Sequence, residues 1–393
     1  MTLETENDSS VKRRLILRDA LTFLSLVLIT AVLFAVTLFL FRSFATHREE
    51  LAQRWAARGQ AALISDHPDQ AIVALRTALS YAPGQRSYEL LLAQALADAG
   101  HTEEAYNYFL GLWESQPGDG FINLRLARLA AKKSDMQSAI NYYRAAIYGT
   151  WEGDEAVRRR DLRLELSRYL IAHHDLSSAR TELLVTGGNA PDDMGLALTL
   201  AQLLEQASAP HDALNYYQKV LTREPNNQQA LEAAGRLEYG FGNFEEAHHL
   251  LERAKQEHDA TAPSQAFSPE MHAMLDNAKG ILSIAPLKKL PANERVTRIL
   301  KVRDLAKKRF DSCKTQVSAL GGPASPLQDL VARWTRNEAT INRDALLNDT
   351  GEQEAVMKLV YDTETQSSQV CGPPTGDDAL LLMLAKSPKA VEP

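Results

Sequence analysis

The hydrophobic pattern begins with a continuous apolar run near the amino end. Residues 20–41 carry no charged side chain and consist mainly of Leu, Val, Phe, Ile and Ala. A helix of this length is about 33 Å long, enough to cross a hydrocarbon core about 30 Å thick. Secretory signals have a shorter apolar region of about 7–15 residues, so the run predicts a retained transmembrane helix. The alternative is a leader cleaved after the small residues of Ser43-Phe44-Ala45.

The charges on the two sides of this run predict its orientation. Basic residues precede it at Lys12, Arg13, Arg14 and Arg18, whereas two glutamates accompany the two arginines that follow it. Because basic residues are retained on the cytoplasmic side, residues 1–19 are predicted to form a cytoplasmic tail. Everything after residue 42 then lies outside the cytoplasm. The remainder is rich in alanine and poor in lysine, which favours a bacterial inner-membrane protein with a periplasmic part over a eukaryotic one.

Downstream, small residues recur every 34 positions on helically spaced apolar stripes. Ala71, Ala105 and Ala139 share this interval, and a second series with the same interval comprises Ala179, Ala213 and Ala247. In most copies a bulky residue follows four positions later and a proline twelve positions later, as in Ala71-x3-Leu75-x2-Ala78-x4-Pro83. Each period predicts two antiparallel helices, and neither can bury its apolar face without neighbours.

This period and these offsets resemble the tetratricopeptide repeat. The resemblance implies an all-α helical-hairpin solenoid with six units within residues 50–260, at about 52–85, 86–119, 120–153, 160–193, 194–227 and 228–260. The third unit has Trp151 where the proline is expected, and the sixth lacks that proline. The interval from Ala139 to Ala179 is 40, so six residues are inserted near residues 154–159. They form either a widened loop or an extended helix start, and a tolerated insertion is favoured over a binding element.

The resemblance also implies a ligand surface, because the first helices of such repeats line a concave groove. The residue after the small residue of each first helix faces that groove in the family: Gln60, Gln94, Arg128, Arg168, Gln202 and Arg236. None is acidic. Amides and guanidinium groups suit a peptide backbone or a terminal carboxylate. The alternative is that water alone covers them. The family's carboxylate clamp for chaperone tails is not supported, since its positions hold Ala56, Leu90, Leu124 and Leu164.

The last third of the chain lacks the period. After a linker at 256–268, Pro269 suits a helix start with Ser268 as its cap. Further helices are predicted at 292–320, 326–347, 351–367 and 377–385. Residues 269–393 are either a helical cap that closes the solenoid, which is favoured, or a small all-α domain. Basic side chains follow one another along 295–314, where they either meet anionic lipid or an acidic partner, or are merely solvated.

The cysteine usage is sparse. Cys313 and Cys371 are the two cysteines in the sequence. Outside the cytoplasm, such an isolated pair predicts one disulfide, and the alternative is two unpaired thiols. Cys313 falls on a helically spaced apolar stripe, whereas Cys371 lies in a segment that is otherwise free to fray.

The sequence contains none of the short catalytic or metal-binding motifs that we searched for: it has no His-Glu-x-x-His, Gly-x-x-x-x-Gly-Lys, Gly-x-Ser-x-Gly or Cys-x-x-Cys. We therefore expect no enzyme activity, metal or cofactor. The adjacent histidines at 173–174 and 248–249 are expected to be solvated or packed. The net charge of −7 argues against nucleic acid as a partner.

These patterns predict a non-catalytic, membrane-anchored scaffold that binds a protein or peptide, in envelope assembly, secretion or chaperone complexes. The alternative is an accessory subunit of a polysaccharide or peptidoglycan machine, for which Tyr239 is the one good groove aromatic. The sequence determines neither the partner nor the oligomeric state.

Overall fold

The computed structural model describes residues 5–153, 155–189, 192–262, 264–319 and 327–387. It divides into two compact units, and the boundary between them lies between Leu166 and Ser167 in the sequence. The described residues form helices and no strand, with a single isolated backbone bridge between Asp119 and Thr150. The all-α prediction is confirmed.

Helices α1 to α12 form hairpins in the predicted repeats. Their bounds are α1 Thr5–Ile64, α2 Pro68–Tyr81, α3 Arg86–Asp98, α4 Thr102–Ser115, α5 Gly120–Lys132, α6 Met136–Tyr148, α7 Glu155–Ala172, α8 Leu176–Gly188, α9 Met194–Gln206, α10 Pro210–Arg223, α11 Gln228–Gly240 and α12 Phe244–Thr261. Each repeat is one odd-numbered helix followed by one even-numbered helix.

The first helix is much longer than any single predicted element. α1 contains most of the predicted tail, the whole apolar run and the first helix of repeat one, because no glycine or proline occurs between residues 5 and 58. The apolar run is exposed along its length, with Phe41 exposed by 71%. Among the described helices, α1 is the one long and apolar enough to cross a membrane. Arg48 donates a 2.6 Å hydrogen bond to the carbonyl of Tyr81, which joins α1 to the end of α2.

Small residues lie where the two helices of a hairpin cross. The six alanines of the 34-residue ladder are all fully buried. A Cβ atom added at Gly59 would lie 2.5 Å from Cγ of Leu75, and one added at Gly235 would lie 2.8 Å from Cγ of Leu251. Any side chain at these glycines would force the two helices apart.

The hairpin turns share one backbone feature. A residue with positive φ stands at the same place in every repeat: Asp66, Gly100, Ser134, His174, Ser208 and Gly242. Only two of the six are glycines, the residue that adopts this conformation at no steric cost. His174, the second histidine of the adjacent pair at 173–174, is therefore the turn residue of repeat four.

The insertion after repeat three lengthens a helix. α7 has 18 residues, whereas α5 and α9 have 13, so the extra residues lie mainly at its start. Asp154 lies outside the described residues, as does Pro191. Trp151 takes the place of the missing proline and donates a 2.8 Å hydrogen bond to the carbonyl of Ala146. Its ring lies so close to Gly120 that an added Cβ atom there would overlap it.

Six helices follow the repeats: α13 Pro269–Ile284, α14 Ala292–Ala319, α15 Gln328–Thr340, α16 Arg343–Asn348, α17 Thr350–Cys371 and α18 Asp377–Lys386. The predicted single helix at 326–347 is wrong in its middle, because Asn342 starts a new helix by accepting a 2.9 Å hydrogen bond from the amide of Ala345. Ser268 is the N-cap residue of α13 and Pro269 its first residue, as predicted, but the side chain of Ser268 makes no capping hydrogen bond. Residues 320–326 lie outside the described part.

These helices contribute to two clusters of buried side chains. α13 and α18 pack against repeat six in a cluster that includes Phe244, Ile281 and Leu384. A second cluster lies mainly among α14 to α17, with Phe310 and Trp334 as its largest buried side chains, and it also includes Ile284 of α13 and Leu381 of α18. The helices that pack on repeat six therefore also contribute to the second core.

Several basic side chains of α14 bond to neighbouring elements instead of forming a free face. Arg298 donates to the carbonyls of Leu282 and Ala285, at 2.6 and 3.1 Å. Arg309 donates to the carbonyl of Gly372 at 2.6 Å. Because these guanidinium groups satisfy the ends of other helices and loops, they have a structural role that the sequence pattern did not indicate.

Candidate binding groove

The six predicted groove residues all lie on the first helices of their repeats. Gln60, Gln94 and Arg128 belong to the first compact unit, and the other three belong to the second. Gln60, Arg128 and Arg168 are exposed, whereas Gln94, Gln202 and Arg236 are half-buried. Each unit is described by itself below.

In the first unit, Arg128 is held by an acidic side chain from the next repeat. Its Nε and Nη2 atoms donate to the two carboxylate oxygens of Glu165, each at 2.8 Å. The hydroxyl of Tyr143 donates to the same carboxylate, also at 2.8 Å. The hydrogen bond with Glu165 is the main reason why the pKa of Arg128 is raised.

The second unit contains the same three residue types in the reverse order. Glu205 accepts a 2.7 Å hydrogen bond from Nη2 of Arg236 and a 2.8 Å hydrogen bond from the hydroxyl of Tyr217. Burial, followed by the bond to Glu205, raises the pKa of Tyr217, so this tyrosine stays a neutral donor. Both tyrosines stand four residues after an alanine of the ladder. We call each set of arginine, tyrosine and glutamate a triad. In the first triad the glutamate lies on the first helix of the later repeat, and in the second triad it lies on the first helix of the earlier repeat.

The two triads correct the expectation that the arginines offer free forks to a ligand carboxylate. Arg128 and Arg236 are already neutralised by Glu165 and Glu205. Among the described residues, Arg168 has no ion pair or hydrogen bond from its side chain. Glu165 and Glu205 each lie three residues from a predicted groove position, Arg168 and Gln202 respectively. The sequence prediction names one groove position on each first helix, so it does not include these glutamates. The signal that could have indicated these triads is an acidic residue one helical turn from a groove position, together with a tyrosine on a second helix.

The second unit also has a concave polar surface, which we call the repeat-five/six recess. Its volume is about 570 Å³, and it is lined by Gln202, Glu205, Gln206, Tyr217, Gln229, Glu232, Ala233, Arg236 and Met271. Two of the predicted groove residues are thus brought together there, at the junction of α9 and α11. Amides and carboxylates dominate its walls, so it is suited to hydrogen-bonding a polar chain.

Tyr239 does not present an open aromatic platform. Its ring packs edge-on against Phe244, with centroids 5.4 Å apart. Its hydroxyl accepts a hydrogen bond from Asn277 at 3.3 Å and lies 3.5 Å from the sulfur of Met383. These contacts give it a packing role between α11 and the capping helices.

No group of three or more His, Cys, Asp or Glu side chains within the described ranges is arranged to hold a metal. His249 lies 3.8 Å from Glu246 on the same helix face, at an exposed position.

The two cysteines lie together at the edge of the second core. The Cα atoms of Cys313 and Cys371 are 5.7 Å apart, a separation that a disulfide spans. Cys313 is buried and Cys371 is half-buried. The pair joins α14 to the end of α17.

Comparison with known proteins gives a family match on the last two repeats. The family model described as tetratricopeptide repeat matches residues 203–267. A curated relative is the cellulose synthase 1 operon protein C of Komagataeibacter xylinus, which is 25% identical over 215 residues. That alignment covers 52% of this chain and 16% of the relative, so this chain spans about one sixth of the relative's length.

Solved structures of similar fold share little sequence with this chain. One is the carboxy-terminal part of a repeat protein from Cytophaga hutchinsonii, with 15% identity and a TM-score of 0.42; the match covers 62% of this chain and 93% of that one. Another is a tetratricopeptide repeat protein from Parabacteroides merdae, with 13% identity, a TM-score of 0.38 and coverage of 58% and 99%. At these values the proteins need not share a partner.

Proposed function

We propose that this chain, which belongs to the tetratricopeptide-repeat family, is a membrane-anchored, non-catalytic scaffold that binds polypeptide partners on the first helices of its repeats. The observation that carries the proposal is the repeat-five/six recess, a concave polar surface formed by side chains from successive first helices. Stacked repeats present such surfaces to extended ligands.

The anchor in this proposal is residues 20–41. Two observations support it: the run is apolar and long enough to span a bilayer, and its side chains are exposed within the described helix. An exposed apolar band of this size is unfavourable in water. With residues 1–19 in the cytoplasm, the repeats and the last six helices face the periplasm of a bacterial inner membrane. Protease added to intact spheroplasts should then degrade the repeats, and protection of the repeats would contradict this orientation.

A second candidate function is an accessory role in a polysaccharide-producing machine. The observation that favours it is the likeness to a protein named for a cellulose synthase operon. The contacts of Tyr239 count against direct binding of sugar through that aromatic ring, so a role through a protein partner fits the groove better than a role through the polymer.

Partner capture by photocrosslinking in cells tests the proposal. The variant combines Gln202→Trp, which fills the repeat-five/six recess, with Arg168→Glu; both are groove positions outside the triads. The matched control carries the same changes at Gln218 and Arg144, which are exposed on second helices. We expect the groove variant to lose captured proteins and the control to retain them. Equal capture by both would exclude the groove as the binding surface.

Proximity labelling from the periplasmic side distinguishes the two candidate functions. A labelled set dominated by subunits of a glucan or peptidoglycan synthase would favour the second. Retention of the purified chain on insoluble glucan would show direct sugar binding and would contradict a purely polypeptide ligand.

A further inference from the structure

We infer that the repeat-five/six recess takes a basic side chain of an extended polypeptide, placed against Glu232, and disfavours acidic segments and terminal carboxylates. This inference rests on the groove binding proposed above and specifies its chemistry.

The first step is that the arginine of the recess is already neutralised. Arg236 lies 2.7 Å from one oxygen of Glu205, and Tyr217 donates to the other oxygen at 2.8 Å. Both carboxylate oxygens of Glu205 therefore have partners within the protein. A ligand carboxylate would have to displace Glu205 from Arg236 and leave its charge in a half-buried site, which is unfavourable.

The second step is the surplus charge. The lining contains Glu205, Glu232 and Arg236 as its charged side chains, two negative and one positive, so its formal charge is −1. Glu232 stands one helical turn before Arg236 and accepts a hydrogen bond from the amide of Gln228. Within the described part of the chain, no Lys, Arg or His forms an ion pair with Glu232. Its carboxylate is therefore the charge in the recess that a ligand can pair with.

The third step concerns the rest of the lining. Gln202, Gln206 and Gln229 carry amides, which both donate and accept hydrogen bonds and therefore match the alternating N–H and C=O groups of an extended backbone. Arg168 does not line the recess. The net charge of the whole chain is −7, which also attracts a basic segment at long range. Backbone pairing with the amides and one cation at Glu232 are the contacts that this lining supports.

The probe for the test is a randomised nine-residue peptide library with blocked termini, captured by the full chain in detergent solution and then sequenced. We expect Lys or Arg to be enriched over Asp or Glu at one position by about three- to fivefold, the factor that a partly exposed ion pair provides. Glu232→Gln should remove this preference, and Glu232→Lys should reverse it. Glu114→Gln, at an exposed acid on the second helix of repeat two, is the matched control and should change nothing.

The outcomes separate this inference from the proposed function. Capture that shows no charge preference, or a preference that survives in Glu232→Gln, overturns the inference and leaves groove binding intact. Enrichment of acidic residues by the unmodified chain also overturns it. If no peptide is captured, or if Gln202→Trp captures as much as the unmodified chain, groove binding itself is excluded.

Discussion

Ser208 has the same left-handed backbone conformation as Gly242, 34 residues later, with φ of 55° and 76° respectively. The two residues occupy equivalent turns of repeats five and six. A residue with a Cβ atom is strained in this conformation by about 1 kcal/mol or more, whereas glycine is not. The repeat therefore specifies the turn conformation more strictly than it specifies the residue.

Ser208→Gly should stabilise the second unit. We expect the free energy of unfolding to rise by up to about 1 kcal/mol, because the positive φ no longer strains a side chain. Urea unfolding followed by circular dichroism measures the change. Ser177→Gly, within the ordinary helical backbone of α8, is the control and should leave stability unchanged or lower it. A loss of stability in Ser208→Gly would show that the serine contributes more than its backbone costs.

Gly235→Ala should destabilise repeat six. The new methyl group would lie 2.8 Å from Leu251, and a well-packed crossing gives way only at a cost of about 1–3 kcal/mol. Gly111→Ala is the matched comparison, since nothing lies within 4 Å of the added atom there. That change should raise stability by up to about 1 kcal/mol through helix propensity alone. Equal effects of the two substitutions would contradict close helix packing at Gly235.

The pair Arg128–Glu165 should show a measurable coupling energy. A double-mutant cycle with Arg128→Ala and Glu165→Ala should give about 1 kcal/mol, since the bonds are bidentate but the side chains are partly exposed. Tyr143→Phe should weaken the coupling by removing the third member of the triad. The measurement is urea unfolding of the four variants, and additive losses would exclude a cooperative triad.

Stability of the last six helices should fall as the pH rises. Burial, aided by the charge of Asp378 and opposed by that of Arg309, raises the pKa of Glu364 to about 8 from 4.5. A carboxyl group that holds its proton more tightly when folded stabilises the fold at low pH, and this contribution is lost as the pH rises from about 4.5 to about 8. Among the described residues, neither carboxylate oxygen of Glu364 has a hydrogen-bond partner.

Thermal melting at several pH values checks this sign. The unmodified chain should melt at a lower temperature at pH 9 than at pH 6, and Glu364→Gln should show a smaller difference. Glu354→Gln, at an exposed position on the same helix, is the control. A melting temperature that rises with pH in the unmodified chain but not in Glu364→Gln would mean that this carboxylate is stabilised in its charged form.

A disulfide between Cys313 and Cys371 should contribute to stability. The bond would close a loop with a sequence separation of 58 residues, for which loop entropy predicts about 4 kcal/mol. Cys371→Ser should lower the melting temperature, and reductant should lower that of the unmodified chain but not of the variant. Alkylation before and after reduction, read as a shift in gel mobility, measures the bond directly. Two thiols that are fully alkylated without reductant would exclude it.

The sequence predicted the repeats better than the groove. Period and small residues locate each hairpin because alanine and glycine are required where the helices cross, as at Ala71 and Gly235. The groove chemistry depends instead on pairs such as Arg128 and Glu165, which lie on helices of neighbouring repeats. One position per helix does not reveal such pairs.

Two structural errors have similar physical causes. The change from apolar to polar composition near residue 42 predicts a boundary there, but α1 continues through it because helix propensity does not change. The sequence does not indicate the break at Asn342 because Leu327, Trp334 and Ile341 keep one helical spacing up to it, and the capping side chain is a local signal.

The continuity of α1 has a mechanical consequence. Residues 20–41 and the first helix of repeat one are a single rod without a hinge residue, and about 10 Å separates the end of the apolar run from Arg48 at 1.5 Å per residue. A rotation or tilt of the segment in the bilayer would turn repeat one by the same angle. The orientation of the segment in the bilayer would thus determine the direction in which the first hairpin points.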